Sequence, residues 1–500
     1  GSHPDTWLQN LWYGERVAVL VVDETTGGVY DSVYVDLDGD FDFADETPAT
    51  RDMPIACLDA FDSSTGQPGA DGYNDLSGGL VYFIADGAKS IPASDWWLMP
   101  FVPDNGSLVA FSVENGWHGT LVAGALAAQG VINGLAPLFQ PPYTGPGSGI
   151  LRGPGKDAKL SVVIEESFYT SDSPFLDQPA LFAALGYDGI PGSGDDFQIV
   201  NHSWGIGNVF SEGMDDYVTR SYEESVRSLD PTVSHVFAAH NYGPGYGTML
   251  MPAPTNSIQV GGSLAVGPGF NPSDPILTSS WPAFSITSTE QIVWGDPWAG
   301  AGRGPGGRGD NGIDLTADSG VNPSTLLLNI WGDGWTSWIN SGATSNAAAA
   351  TSGNLALVYD AYQQTHGTWP DALTARAMLK AGATDQHTDT LSQGSGLLDV
   401  LASTDMAADR GGFYITPDEW TAGDYRGAVH PAFASIQHQG SHKSADFTVS
   451  NSGSTPITVV LSTDRLVKTE SDELSFTSSD VSLEDSMRLN YLIDVTNLLT

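Results

Sequence analysis

The stretch ENGWHGTLVAGALAAQG, residues 114–130, places one histidine at the start of a run of small apolar residues. The run TLVAGALAAQG predicts a helix, because its apolar residues recur with helical spacing. Gly124 and the alanines leave one face of this helix thin enough to pack closely against a sheet. The imidazole of His118 would then be held rigid and partly open. A histidine in this position is either a structural residue or a functional group.

The chain after His118 alternates strand-like apolar runs with helical ones. Strands are predicted over 158–166, 197–204, 234–241 and 257–264, and helices over 176–186, 214–229 and 344–365. Strands that alternate with helices predict parallel pairing in an α/β fold. In such folds the ligand chemistry belongs at the carboxyl ends of the strands.

The two ends of the chain have a different pattern. RVAVLVVDE (16–24) and VYDSVYVDLD (29–38) are β-rich runs joined by TTGG, which indicates a hairpin. After about residue 405 the helical pattern stops, and residues 442–463 alternate apolar and polar side chains, as a β-sandwich would. We therefore expect three regions: an acidic β-rich region (1–112), an α/β domain (113–405) and a β-sandwich module (406–500).

Composition excludes several classes of partner. The 500 residues carry 60 acidic and 18 basic side chains, a formal net charge of −42, which repels phosphate backbones and anionic membrane surfaces. Nucleic acid is therefore not an expected partner. Cys57 is the only cysteine, which excludes an intrachain disulfide. No segment reaches the roughly eighteen consecutive apolar residues of a membrane helix. Lysine and arginine are scarce, a composition that suits a secreted protein, so we expect an extracellular or cell-surface location.

Two segments resemble a known family. HGTLVAGALAA, residues 118–128, resembles the histidine signature of the subtilisin-like serine proteases. That family orders its triad Asp, His, Ser, so the resemblance implies a nucleophilic serine later in the chain. NSGATSNAAAATSG (340–353) resembles the family's nucleophile segment and makes Ser345 the candidate. Ala343 stands where the family usually has Gly or Ser, and Ala349 stands where it has Pro. A well-packed structural helix is therefore the alternative interpretation.

The resemblance also implies the groups around the nucleophile. SHVFAAHNYG (234–243) resembles the strand that delivers the oxyanion-hole asparagine, which would be Asn241; an asparagine that caps a turn is the alternative. IVNHSWG (199–205) resembles the strand that pairs with an extended substrate. The implied substrate-binding residues are Ser203, Trp204 and Gly205. The resemblance covers about residues 118–402, and the chemistry that it implies needs no cofactor.

The aspartate of the implied triad has no clear match. Asp23, in VAVLVVDETTGG, is the nearest analogue and Asp36 is second, but neither is followed by Thr-Gly. We expect both to lie in an insertion between Asp and His, of the kind found in subtilases that resemble tripeptidyl-peptidase and pyrolysin. The triad aspartate would then lie upstream of Gly1, and a chain without it would be nearly inactive.

The acidic segment DLDGDFDFADE (36–46) contains six carboxylates. Carboxylates at this density either bind a structural calcium ion or form a solvated acidic hairpin. The candidate metal ligands are Asp36, Asp38, Asp40 and Asp42. Gly39 comes too early in the segment for an EF-hand, and the chain contains no HExxH zinc motif.

These observations predict a subtilisin-like three-layer α/β fold with a central parallel sheet, an N-terminal β-rich insertion and a C-terminal β-sandwich module. The expected function is a serine endopeptidase that hydrolyses polypeptides through an acyl-enzyme. Two alternatives stay open. One is a catalytically inactive subtilase scaffold used for binding or adhesion, and the other is a serine esterase that acts through Ser345.

Overall fold

The structure is a computed structural model, and it describes the following parts of the chain: residues 18–35, 42–44, 46–51, 55–59, 61–62, 67–68, 76–88, 103–112, 118–128, 152–160, 183–186, 189–205, 219, 222, 229–250, 252–264, 295–306, 310–319, 322–325, 338–341, 343–420, 424–425, 428–429 and 444–462. The predicted strand over 158–166 and the predicted helices over 176–186 and 214–229 fall mostly outside these residues. They stay predictions.

The described residues of the N-terminal region include short strands that pair antiparallel. They are β1 (Val19–Val22), β2 (Ser32–Val35), β3 (Ala49–Thr50), β4 (Ile55–Asp59), β5 (Phe61–Asp62), β6 (Gln67–Pro68), β7 (Leu76–Ile84) and β8 (Val109–Ser112). β1 and β2 form the predicted hairpin, and β3 extends it on the far side of β2. Val33, Val35 and Ala49 are buried in a small core of their own. The β-rich character predicted for this region is confirmed.

A parallel four-stranded sheet follows helix α1 (His118–Ala127). Its strands are β9 (Ile199–His202), β10 (Ser234–Ala238), β11 (Ile258–Ser263) and β12 (Leu315–Asp318). Their order is β12-β11-β10-β9, and every neighbouring pair is parallel. Every residue of β10 and β11 is buried, as expected for parallel strands covered on both faces. The predicted α/β architecture is therefore confirmed.

The two faces of this sheet pack against different partners, because successive side chains of a strand point to opposite faces. Val236 and Ala238 of β10 belong to the main hydrophobic core. Phe237, between them in sequence, stacks on His202 with ring centroids 4.1 Å apart. One face of the sheet therefore meets the helical core, and the other carries an aromatic cluster.

The main core is completed by helices near the end of the α/β region. The antiparallel pair β13 (Asn322–Thr325) and β14 (Trp338–Ser341) leads into α2 (Thr344–His366), α3 (Ala372–Gly382), α4 (Thr390–Gln393) and α5 (Val400–Ala407). Ala347, Ala348 and Leu355 of α2 are fully buried against the sheet. The long helix predicted at 344–365 is confirmed. None of the described helices combines the length and apolarity needed to cross a bilayer.

The last described strands are β15 (Phe413–Thr416), β16 (Asp424–Tyr425), β17 (Ala428–Val429) and β18 (Thr448–Asn451). β15 pairs antiparallel with β18, and β16 pairs with β17. β15 also packs against α3 of the α/β region. Much of the range 406–500 lies outside the described residues, so the β-sandwich module stays a prediction.

A cluster of charged side chains joins the segment after β15 to α3. Lys380 lies 3.0 Å from both Asp314 and Asp418, and Arg376 donates to Asp418 over 2.9 Å. Glu419 lies 3.5 Å from Lys380, so three carboxyl groups face two cations. Burial, followed by the charge of Asp314, raises the pKa of Glu419 to about 7. The charges of the cluster balance when Glu419 holds a proton.

Replacing Glu419 by glutamine is expected to change how stability depends on pH. The folded-state pKa of Glu419 lies above its usual value of 4.5, so the folded protein binds more protons between those two values. Wild-type stability therefore falls as pH rises from about 5 to 7, and Glu419→Gln lacks this fall. The difference between the two unfolding midpoints, followed from pH 5 to 8, measures the effect. Asp360→Asn, at an exposed carboxyl of α2, is the control, and a constant difference for Glu419→Gln would contradict the prediction.

Candidate active site

The two helix starts identified in the sequence meet in the structure. His118 is the first residue of α1, and Ser345 is the second residue of α2. The Nε2 atom of His118 lies 3.1 Å from the Oγ atom of Ser345, although the two residues are 227 positions apart. This distance allows a hydrogen bond, so the imidazole can accept the proton of the hydroxyl group.

Close packing of α1 against α2 holds these helix starts together. A Cβ atom on Gly353 of α2 would lie 2.6 Å from the carbonyl oxygen of Leu126 in α1 and 2.7 Å from Pro154. Only glycine allows this approach. Leu121 and Gly124 of α1 are also buried. The thin face was predicted to pack against a sheet, but the close approach found here is to helix α2.

The surroundings of His118 favour its neutral form. Part of the residue is exposed, but the surrounding protein excludes water from much of the imidazole ring. This desolvation lowers the pKa of His118 below its usual 6.5. A neutral imidazole can accept a proton, which is the state that a general base requires.

Ser345 lies where backbone donors are available. The first N–H groups of an α-helix have no acceptor within the helix, and Ser345 belongs to that first turn. The partial positive charge of the helix start adds to their effect. This end of α2 can therefore stabilise a negative charge that develops next to the Ser345 hydroxyl.

Asn241 lies just after β10 and is oriented by Thr344. Its Oδ1 atom accepts hydrogen bonds from the backbone N–H of Thr344 over 3.0 Å and from the Thr344 hydroxyl over 2.8 Å. These bonds fix which end of the amide is the oxygen. The Nδ2 donor of Asn241 has no acceptor among the described residues. Thr344, which Asn241 contacts, directly precedes the nucleophile candidate Ser345. The arrangement suits an amide that donates to an oxyanion.

Ser203 connects the end of β9 to the nucleophile segment. Its Oγ atom donates to the carbonyl oxygen of Ser345 over 2.9 Å and accepts from Nδ2 of Asn201 over 2.9 Å. Asn201 in turn accepts from the Ser352 hydroxyl over 3.1 Å. Two points of α2, about two turns apart, are thus tied to the strand, and Ser203 lies beside Ser345.

Trp204 is hydrogen-bonded to a buried pair of histidines, His202 and His235. The indole N–H of Trp204 donates to Nδ1 of His202 over 3.2 Å, and His202 lies 2.9 Å from Nδ1 of His235. Burial lowers the pKa of His202 well below 6.5 and that of His235 to about 3, so both rings are neutral. With its Nδ1 occupied as an acceptor, His202 carries its proton on Nε2 and donates it to His235.

The structure does not bring every predicted residue into the site. Asp36, Asp38 and Asp40 lie outside the described residues, and Asp42 accepts a hydrogen bond from the N–H of Ala44. The described residues contain no cluster of metal-ligating side chains. The calcium site therefore stays a prediction, and so does the position of the triad aspartate.

The carboxylate of Asp23 has a local contact instead. Its Oδ2 atom accepts a hydrogen bond from the backbone N–H of Gly28 over 2.6 Å, within the β1–β2 turn. This contact is typical of an aspartate that stabilises its own turn.

Sequence reasoning missed three residues around the site. Asn201 and Thr344 hold groups that were predicted, and both lie inside the quoted motifs, where hydrogen-bond direction cannot be inferred. His240 packs against Gly205 and has a φ of 67°, which a strand-like run of letters does not indicate. The only signal in the sequence was its place directly before Asn241.

The subtilase family of peptidases matches residues 103–396, which are more than half of the chain. The chain belongs to the subtilase family. The matched range of this subtilase includes His118, Asn241 and Ser345. No curated protein sequence matches the chain.

Solved structures similar to this subtilase include three proteases. The self-cleaved protease domain of PatA is 19% identical, with a TM-score of 0.30, over 42% of this chain and 62% of that one. The prenylagaramide maturation protease PagA is 18% identical, with a TM-score of 0.31, over 42% of this chain and 62% of that one. A protease from Pseudoalteromonas arctica is 19% identical, with a TM-score of 0.36, over 58% of this chain and 70% of that one. This subtilase thus spans less than two thirds of the PatA and PagA chains.

Proposed function

We propose that this subtilase is a serine endopeptidase that hydrolyses polypeptides through an acyl-enzyme, with Ser345 as nucleophile and His118 as general base. The observation that carries the proposal is the 3.1 Å contact between His118 Nε2 and Ser345 Oγ. Membership in a peptidase family over residues 103–396 supports it. The chemistry needs no cofactor.

In the first step, the Ser345 hydroxyl attacks the carbonyl carbon of the scissile bond. Its proton passes to Nε2 of His118, whose pKa desolvation lowers, which favours the neutral form that can accept a proton. The new carbon–oxygen bond converts the carbonyl oxygen to an oxyanion. Nδ2 of Asn241 and the backbone N–H of Ser345 donate to this charge, which is absent from the bound substrate.

In the second step, the protonated His118 gives its proton to the leaving amine, and the C–N bond breaks. A water molecule then transfers a proton to His118 and attacks the acyl-enzyme. Collapse of that second intermediate releases the acid product and returns the proton to Ser345.

The substrate would lie in an extended conformation along residues 203–205. β9 is the edge strand of the described sheet, so its continuation can pair with a peptide through backbone hydrogen bonds. The Ser203 contact with the Ser345 carbonyl brings this segment next to the reacting atoms. Trp204 belongs to the same segment, and we propose that it limits the depth of a side-chain pocket next to it.

Fluorophosphonate labelling tests the proposal directly. A reactive fluorophosphonate phosphonylates a serine that a neighbouring base activates. Labelling at Ser345 together with peptide cleavage would support the endopeptidase. Labelling with turnover of esters alone would indicate an esterase, and the absence of labelling would favour an inactive binding scaffold. We place the protein outside the cell or at its surface, because its composition is acidic and poor in lysine and arginine.

We propose that Asp23 is not the triad carboxylate, because it is engaged in its own turn. Asp23→Asn is expected to leave the rate of peptide hydrolysis within about twofold of wild type, since the asparagine oxygen can still accept from Gly28. A triad aspartate replaced in this way loses about 10⁴-fold in kcat. Steady-state kinetics of the variant distinguish the two cases, and a loss of that size would identify Asp23 as the third member of the triad.

A further inference from the structure

The backbone of His240 has a conformation that favours glycine. Its φ of 67° lies in the left-handed region, where most residues with a Cβ atom are disfavoured. The surrounding structure holds it there, because the N–H of Gly302 donates to the His240 carbonyl over 2.6 Å. The preceding residue, Ala239, is also fixed, since its N–H donates to Val260. A histidine kept at such a position needs an explanation beyond the turn itself.

The side chain of His240 covers Gly205. A Cβ atom on Gly205 would lie 1.9 Å from Cε1 and 2.2 Å from Nε2 of the imidazole. The ring therefore occupies the space that a side chain at position 205 would fill. Its Nε2 atom is buried and has no hydrogen-bond partner in the described part of the chain. Burial lowers the pKa of His240 to about 4, so the ring is uncharged at neutral pH.

This ring lies between the two segments that flank the nucleophile. Gly205 follows Ser203, which donates to the Ser345 carbonyl, and Asn241 follows His240 and accepts from Thr344. A peptide extended along residues 203–205, with its reacting carbonyl at Ser345, would direct alternate side chains toward the protein. The side chain next to the reacting carbonyl would enter the gap between these segments.

We infer that His240 determines specificity: its imidazole fills this gap, so the substrate residue on the acyl side of the scissile bond must have a small side chain, such as that of glycine or alanine. The inference rests on the proposed function. A larger side chain would have to displace a ring that both the φ of the backbone and the contact with Gly205 keep in place. The rejection is therefore steric, and the neutral ring offers no charge to attract an acidic side chain.

Binding of peptide aldehydes tests the inference on the full 500-residue chain. The Ser345 oxygen adds to the aldehyde carbon, and the hydroxyl proton passes through His118 to the aldehyde oxygen, which gives a neutral hemiacetal. Titration calorimetry would compare acetylated tetrapeptide aldehydes of three alanines followed by a last residue derived from alanine, leucine or phenylalanine. Wild type should bind the alanine compound about 10- to 100-fold more tightly than the phenylalanine compound.

His240→Gly is the informative variant, because glycine adopts the same φ without strain. It should bind the phenylalanine compound at least about 10-fold more tightly than wild type does and bind the alanine compound almost equally. His387→Gly makes the same change at a φ of 59° on an exposed loop and should alter neither affinity. His240→Ala should shift the preference in the same direction, and thermal unfolding would establish that each variant folds.

Different outcomes contradict the two proposals separately. If wild type binds the alanine and phenylalanine compounds equally, or if His240→Gly leaves their ratio unchanged, the role of His240 is wrong while the peptidase assignment stands. If none of the three aldehydes binds to wild type, the proposed function is wrong, and the inference about His240 is wrong with it.

Discussion

Ser345→Ala is expected to lose all fluorophosphonate labelling, because it removes the only hydroxyl that the described structure places 3.1 Å from His118 Nε2. Peptide hydrolysis should fall as well, by an amount that depends on the third triad member. With a triad carboxylate in the chain the loss in kcat is about 10⁶-fold, and without one it is about 10²-fold. These sizes come from the triad of subtilisin and not from the geometry of this protein. The measured loss therefore shows whether the chain contains that carboxylate.

Gel fluorescence and steady-state kinetics on the same preparations make the comparison quantitative. Ser193→Ala is the matched control, since Ser193 is exposed on the loop at 189–194 and donates to Asp195. It should keep full labelling. His118→Ala should slow labelling strongly while Ser345 is still present, because the hydroxyl loses its base. Labelling that persists in Ser345→Ala would show that another residue is the nucleophile.

Asn241→Leu is expected to lower kcat by about 10² to 10³-fold with little change in KM. Leucine is close to asparagine in size but cannot donate a hydrogen bond. The oxyanion exists only after attack by Ser345, so the lost donor affects the transition state and not the bound substrate. Steady-state kinetics with a peptide substrate separate the two parameters. A raised KM with unchanged kcat would contradict the assignment of Asn241 to the oxyanion.

The contacts of Asn241 provide the controls for this experiment. Asn354→Leu removes an amide from α2 that donates to the carbonyl of Ala350, and it should leave kcat unchanged. Thr344→Val removes one of the two donors that orient Asn241, so it should lower kcat roughly fivefold, the effect of one ordinary hydrogen bond. Thr344→Ser keeps the hydroxyl and should restore the rate. Recovery with serine would distinguish orientation of the amide from a loss of packing.

The two helix starts were predictable because their signals are local. Small residues around Gly124 and along the segment after Ser345 indicate helices that pack closely, and the structure has both, as α1 and α2. The strand before Asn241 was also predictable, since the run VFAA at 236–239 is apolar, and every residue of β10 is buried in the structure. Period and composition carry this information within about ten residues.

Other features depend on partners that are distant in sequence. The φ of His240 is held by a hydrogen bond from Gly302, and the amide of Asn241 is oriented by Thr344. The cluster that raises the pKa of Glu419 includes Asp314, which lies more than a hundred positions earlier. No pattern along the chain shows which of these groups will meet, because hydrogen bonds and burial are set by the packing of separate elements.

The sequence by itself determined the elements of this protein: an α/β alternation, the helices that begin at His118 and Thr344, and the order in which the histidine, asparagine and serine follow each other. Only the tertiary structure decided the 3.1 Å approach of His118 to Ser345 and the place of the His240 ring over Gly205. The physical reason is the distance along the chain over which each effect acts. Backbone preference and hydrophobic period act between neighbours, whereas proton transfer and steric exclusion depend on distances between atoms that only the folded chain brings together.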